Sequence, residues 1–142
     1  MKRLFLYLFA LMPCMLWADD SGSCGDDVTY NYVESTKTLT ISGTGAMSNF
    51  EYNTSNKSSN EPWQSYKYDI RHVVIENGVT TIGNYFLREC TELVSLTIPS
   101  SVTYVGLHAF NGCTGLTKVM IDGSGDIKFD SNSFRNCNSI RC

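Results

Sequence analysis

Residues 75–97 and 98–120 carry one pattern twice, at a spacing of 23 residues. Ile75 falls on Ile98, Val79 on Val102, Ile82 on Val105, Gly83 on Gly106, Leu87 on Phe110, Cys90 on Cys113, Thr91 on Thr114, Leu93 on Leu116 and Leu96 on Val119. A third copy begins at Ile121 with one extra residue, so that Phe129, Phe134, Cys137 and Ile140 take the Ile82, Leu87, Cys90 and Leu93 positions. A unit of this length cannot bury an apolar face by itself, so successive units must stack and the stack becomes the core.

Within each unit, Leu93-Val94-Ser95-Leu96-Thr97-Ile98 alternates apolar residues toward one side, as a strand with one buried face does. Pro99 and Ser100 end that strand, and the Gly106 turn with Ala109 and Phe110 returns the chain to the next Cys and Leu. One short strand per unit in the twenties is leucine-rich-repeat geometry. The fold class is therefore an α/β repeat, mainly β: a short solenoid of 23-residue units covering residues 71–142 as two full units and a partial third.

The register accounts for the cysteines. Cys90, Cys113 and Cys137 share a phase and form a structural ladder, where small buried thiols suit a turn packed on its neighbour. Zinc ligation would need closely spaced pairs or supporting histidines, and the chain has 2 histidines, His72 and His108, at unrelated phases. Cys142 is the exception, at a solvent-facing phase, and is open to a bond with Cys137, with Cys24 or with another chain.

Residues 19–70 do not repeat and read as a β-rich capping segment. Thr29–Val33 and Thr38–Ser42 are alternating runs of β-prone residues separated by polar Glu34 to Lys37, which predicts a hairpin, and Gly43 and Gly45 break the second strand. The stretch 53–61 has no apolar residue and is the best loop candidate. Pro62 to Tyr66 predicts a helical turn capped by Asn60. Trp63, Tyr66 and Ile70 share one face of it, so Trp63 plugs the open solenoid end or, with Tyr66, offers a sugar-stacking platform.

Residues 1–18 read as a secretory signal peptide. Lys2 and Arg3 precede 14 apolar residues from Leu4 to Trp17, too few to span a bilayer comfortably, with cleavage expected after Ala18. Pro13 disfavours the alternative of a lipoprotein anchor at Cys14. Of the 11 basic residues Lys2 and Arg3 leave with this peptide, so 9 remain against 14 acidic ones. The resulting charge of −5 makes nucleic acid an unsuitable partner.

The segments Ile98-Pro99-Ser100-Ser101-Val102-Thr103, Ala109-Phe110-Asn111-Gly112-Cys113-Thr114 with Leu116, and Glu76-Asn77-Gly78-Val79-Thr80-Thr81-Ile82-Gly83 resemble those of the BspA-like leucine-rich-repeat surface proteins. Cys24-Gly25, Thr38 to Gly45 with Met47, and Pro62-Trp63 resemble the segment that often precedes such repeats. The resemblance implies surface display, adhesion and protein binding, with no common catalytic residue. The third unit departs from it, since Asp122-Gly123-Ser124-Gly125 replaces the Pro-Ser-Ser-Val turn. The stop at Cys142 leaves open a short protein or a truncated piece of a longer adhesin.

Solvent-facing strand positions fall in rows across the repeats: Arg71, Val94, Thr117 and Arg141; His72, Ser95, Lys118 and Cys142; Val74, Thr97 and Met120. This mildly basic face on an acidic chain suits an acidic or polar protein on a host or neighbouring cell, although three strands give less area than a standard interface. No nucleophile, base and orienting group come together in the spacing, and no cofactor or metal is expected. The expectation is an exported, non-enzymatic binding module without a transmembrane anchor, with glycan binding at Trp63 and Tyr66 as the alternative.

Overall fold

The computed structural model describes residues 19–141. The signal peptide expected over 1–18, its Cys14 and Cys142 lie outside the described residues. Twelve short strands are arranged mainly in two sheets, and no described helix is long and apolar enough to cross a membrane.

Strands β1 (Asp20–Ser23), β2 (Val28–Val33) and β3 (Thr38–Gly43) form an antiparallel meander. The predicted hairpin is β2–β3, closed where Lys37 takes a left-handed conformation (φ 53°) and pairs with Glu34. β3 then pairs in parallel with β7 (His72–Ile75), β7 with β9 (Ser95–Ile98) and β9 with β11 (Lys118–Ile121), which completes a six-stranded sheet. Its register sets His72 beside Ser95 and Ser95 beside Lys118.

Two-residue and four-residue strands make the second sheet, in the order β4 (Gly45–Ala46), β8 (Val79–Ile82), β10 (Tyr104–Val105) and β12 (Lys128–Phe129). The core lies between the sheets. Leu39, Ile41, Val73, Ile75, Leu96 and Ile98 face Val79, Ile82 and Val105, and Phe86, Leu87, Leu93, Phe110 and Leu116 from the connecting turns fill the space between.

The helical half of the predicted α/β repeat is not found among the described residues. The segments opposite the larger sheet are successions of turns. The backbone explains this. Tyr85, His108 and Asn132 are left-handed (φ 56°, 53°, 62°), and so are Glu89, Gly112 and Asn136 (φ 61°, 81°, 61°). Two left-handed residues four apart in each unit stop an α-helix from propagating. The repeated glycine is a matter of close approach: a Cβ on Gly83 would sit 1.9 Å from the Ser48 carbonyl oxygen, and one on Gly106 would sit 2.7 Å from the Asn84 nitrogen.

Two local expectations are also corrected. The stretch 53–61 is not a featureless loop, because β5 (Tyr52–Asn53) and β6 (Ser58–Ser59) form a small hairpin. Its turn is built from polar side chains, with Asn56 Oδ1 accepting from the Ser58 amide at 3.0 Å. The turn after Pro62 is a short 3-10 helix, Gln64–Tyr66, without a side-chain cap. Asn60 instead accepts from the Glu51 amide at 2.8 Å.

Candidate functional site

Strand alternation divides the larger sheet into a core face and a solvent face. The side chains of Leu39, Ile41, Val73, Ile75, Leu96 and Ile98 point inward, and the intervening residues point out. Arg71, His72, Val74, Val94, Thr117, Lys118 and Met120 are exposed, and Ser95 and Thr97 half-buried. Arg71, Val94 and Thr117 sit one residue ahead of their strands. They stay in line because the Val94 amide donates to the Arg71 carbonyl at 2.8 Å and the Thr117 amide to the Val94 carbonyl at 3.0 Å. Arg141 is exposed but belongs to no strand.

The face is wider than the three repeat strands. β3 continues the rows, with Thr38 beside His72 and Thr40 beside Val74. β2 and β1 extend them again, so that Ser21, Asn31, Thr40, Val74, Thr97 and Met120 form one row across six strands. A local signal for this was present. Leu39-Thr40-Ile41 matches Leu96-Thr97-Ile98, and the structure places both in register with Val73-Val74-Ile75.

Five spacings of about 4.8 Å make the face about 24 Å across, against about 10 Å for three strands. A standard interface of about 800 Å² per partner is roughly 30 Å across. Width therefore stops being the objection that the three repeat strands alone raised.

Chemically the face is mixed. His72 Nδ1 lies 2.8 Å from Ser95 Oγ, on an open surface. No carboxylate is hydrogen-bonded to that imidazole among the described residues, so the pair lacks the orienting group that nucleophilic catalysis uses. His108 lies elsewhere, stacked on Tyr85 with ring centroids 5.5 Å apart. Burial lowers its pKa below the ordinary 6.5, with help from Arg88 and Arg135. No group of three or more His, Cys, Asp or Glu is gathered as a metal ion requires among the described residues.

The cysteine column is internal. Cys90 and Cys113 are fully buried and Cys137 half-buried, and none of the three is in a disulfide. Cys113 Sγ donates to the Leu87 carbonyl at 3.2 Å and Cys137 Sγ to the Phe110 carbonyl at 3.0 Å, one repeat apart. Burial pushes the Cys90 thiol well up, which keeps it protonated and unreactive. Cys24 is likewise buried and pushed up to about 12.

The sugar-stacking platform is overturned. Trp63 has no exposed surface, with its ring edge-on to Tyr30, Phe50 and Phe86 at centroid distances of 5.2–5.3 Å and its indole N–H donating to the Phe86 carbonyl at 3.1 Å. Tyr66 is stacked on Tyr32 at 4.2 Å and donates to Asp20 at 2.7 Å. A large apolar ring beside an open core is better buried there than left in water. A partly exposed aromatic stack runs instead through Tyr52, Tyr85 and His108, and its Tyr52 and Tyr85 line a groove of about 500 Å³ with Phe50, Glu51, Asn53 and Thr54.

One buried pair escaped sequence reasoning. Lys67 Nζ is 3.7 Å from Glu61 Oε1 and donates to the Arg88 carbonyl at 3.3 Å, while Ser59 Oγ donates to Glu61 at 2.8 Å. Both charged residues are almost fully buried, although each stands in a polar stretch that reads as surface.

The family profile described as "BspA type Leucine rich repeat region" matches residues 65–141 in six copies. No curated protein matches the chain. The crystal structure of a leucine-rich repeat protein from Eubacterium ventriosum is similar, with a TM-score of 0.65 and 27% sequence identity over 79% of this chain and 28% of that chain. The chain therefore spans 28% of the length of the solved relative.

Proposed function

The chain belongs to the BspA-type leucine-rich-repeat family, and on that premise we propose that it is an exported, non-enzymatic module that binds a protein through the solvent face of its six-stranded sheet. Residues 71–141 stack as a short solenoid, a reading supported by strand partners 23 residues apart such as His72 and Ser95. Residues 19–70 close one end of it and lend three strands to the binding face. Export rests on the charged and apolar pattern of residues 1–18.

The observation that carries the reading is the unbroken row from Ser21 to Met120. It gives a continuous, mixed surface with exposed Val74, Val94 and Met120 among hydroxyl and amide side chains. Arg71 and Lys118 supply its basic character on an acidic chain, which suits an acidic patch on an extracellular protein of a host or neighbouring cell. Adhesion follows from display of that face outside the cell.

The test is capture from an array of extracellular proteins, read by surface plasmon resonance. The double variant Arg71→Glu with Val74→Asp is expected to weaken capture by about tenfold or more, because it reverses a charge and removes an apolar contact near the centre of the face. Thr103→Glu, exposed beside the second sheet, is expected to leave capture unchanged. Equal capture by the face variant and the parent chain would contradict the assignment.

A further inference from the structure

The groove beside the β5–β6 hairpin takes no part in the strand face. Tyr52, Asn53 and Thr54 come from β5 and its turn, and Tyr85 from the turns opposite the larger sheet. At about 500 Å³ the groove has the size of a small-ligand site, roughly 300–1,000 Å³.

Its aromatic wall is held in place by the protein itself. Tyr52 Oη donates to the Glu89 carboxylate at 3.2 Å, the Arg88 guanidinium lies over the Tyr52 ring at 4.1 Å, and Tyr85 is stacked on both Tyr52 and His108 at centroid distances of 6.1 and 5.5 Å. The hairpin is pinned as well, because Asn60 Oδ1 accepts from the Glu51 amide at 2.8 Å and Asn53 Oδ1 from the Ser55 amide at 2.9 Å. A site ordered beforehand loses little conformational freedom on binding.

Around those rings stand hydrogen-bonding groups with nothing to bond. The Glu51 carboxylate, Asn53 Nδ2 and the Thr54 hydroxyl belong to exposed residues and have no protein partner among the described residues. Charge then narrows the ligand. The carboxylates of Glu51 and Glu89 disfavour an anion. The Tyr52 ring already has Arg88 as its cation, which a cationic ligand would have to displace. A neutral molecule fits, one that offers apolar C–H surface to aromatic rings and hydroxyl groups to carboxylate, amide and hydroxyl side chains.

We propose that this groove is a second binding site and that it takes a neutral saccharide, with C–H surface against Tyr52 and Tyr85 and hydroxyls on Glu51, Asn53 and Thr54. None of these residues belongs to the six-stranded sheet, so the saccharide does not compete for the residues of the protein-binding face.

The experiment is a glycan array of neutral, sialylated and sulfated oligosaccharides probed with the full exported chain, followed by calorimetric titration of the oligosaccharides it retains. Retention of neutral hexose or N-acetylhexosamine oligosaccharides is expected. Glu51→Ala and Thr54→Ala each remove a hydrogen-bonding group and are each expected to weaken binding by about fivefold or more. Both residues are exposed, so neither change disturbs the core. Tyr52→Ala is expected to weaken binding by about tenfold or more, and Tyr52→Phe, which keeps the ring, by about threefold or less.

The Arg71→Glu with Val74→Asp variant of the strand face should bind saccharide as the parent does, which separates the two sites. An array that retains no neutral glycan, retention of sialylated or sulfated glycans alone, or equal affinity in the parent, Glu51→Ala and Thr54→Ala chains would each overturn the proposal.

Discussion

The two ends of the core are built on opposite principles. At the N-terminal end, Trp63, Tyr30, Phe50 and Phe86 interlock edge to face, and Tyr32 is stacked under Tyr66. At the C-terminal end, Ile121 and Phe129 occupy core positions and remain nearly half exposed. The repeat register generates only the C-terminal end, whereas the N-terminal end is closed by aromatic residues of the non-repeating segment. Stability should therefore be graded along the chain, even though the strand pattern is not.

The largest contrast is expected between two aromatic truncations. Trp63→Ala removes a fully buried ring and orphans the Phe86 carbonyl, at a cost of about 3–5 kcal/mol, whereas Phe129→Ala should cost about 1 kcal/mol or less. Urea unfolding of both variants would check this, and equal losses would erase the distinction between the ends. Next comes Glu61→Ala, which strands Lys67 in a buried site and is expected to cost about 3 kcal/mol. Replacing the pair by Glu61→Leu with Lys67→Met should recover most of that loss, because the low-dielectric site then holds no charge.

A matched pair sharpens the comparison along one row. Ile98→Ala is expected to cost about 3 kcal/mol and Ile121→Ala about 1 kcal/mol, since only the first leaves an enclosed cavity.

The smallest effect is a pH dependence in the middle of the stack. Burial lowers the His108 pKa below 6.5, so the unfolded chain takes up the proton first as the pH falls. Stability is then full above the ordinary value of 6.5 and declines as the pH drops from there through the lower folded value. His108→Gln should flatten that decline in thermal melts between neutral and mildly acidic pH.

The residues that alternate in the sequence were readable, and those whose neighbours lie elsewhere in the chain were not. Leu96-Thr97-Ile98 and the β2–β3 hairpin follow from period-two patterning, and Gly83 and Gly106 from their common phase. The parallel pairing of β3 with β7 joins residues 34 apart, and its one mark in the sequence is the short match of Leu39-Thr40-Ile41 to Leu96-Thr97-Ile98. Nor does periodicity encode the paired left-handed residues that turn the expected helices into turns, since Tyr85, His108 and Glu89 are not glycines. Among the candidate residues, Arg71, Val94 and Thr117 run in line across neighbouring strands whereas Arg141 belongs to none, and Trp63, which the sequence left as a plug or a sugar-stacking ring, is buried. A polar stretch around Glu61 and Lys67 concealed a buried pair for the same reason: burial there is decided by tertiary partners.

The binding face depends on one joint, where the N-terminal hairpin becomes part of the repeat sheet. Native-state hydrogen exchange resolved by amide tests it directly. The amides of β3, β7 and β9 are expected to share the slowest exchange and to open together, with β11 and β12 exchanging faster. If β2 and β3 instead exchange as a separate, weaker unit while β7 and β9 stay protected, the hairpin is an appendage, and the six-stranded face is not one surface.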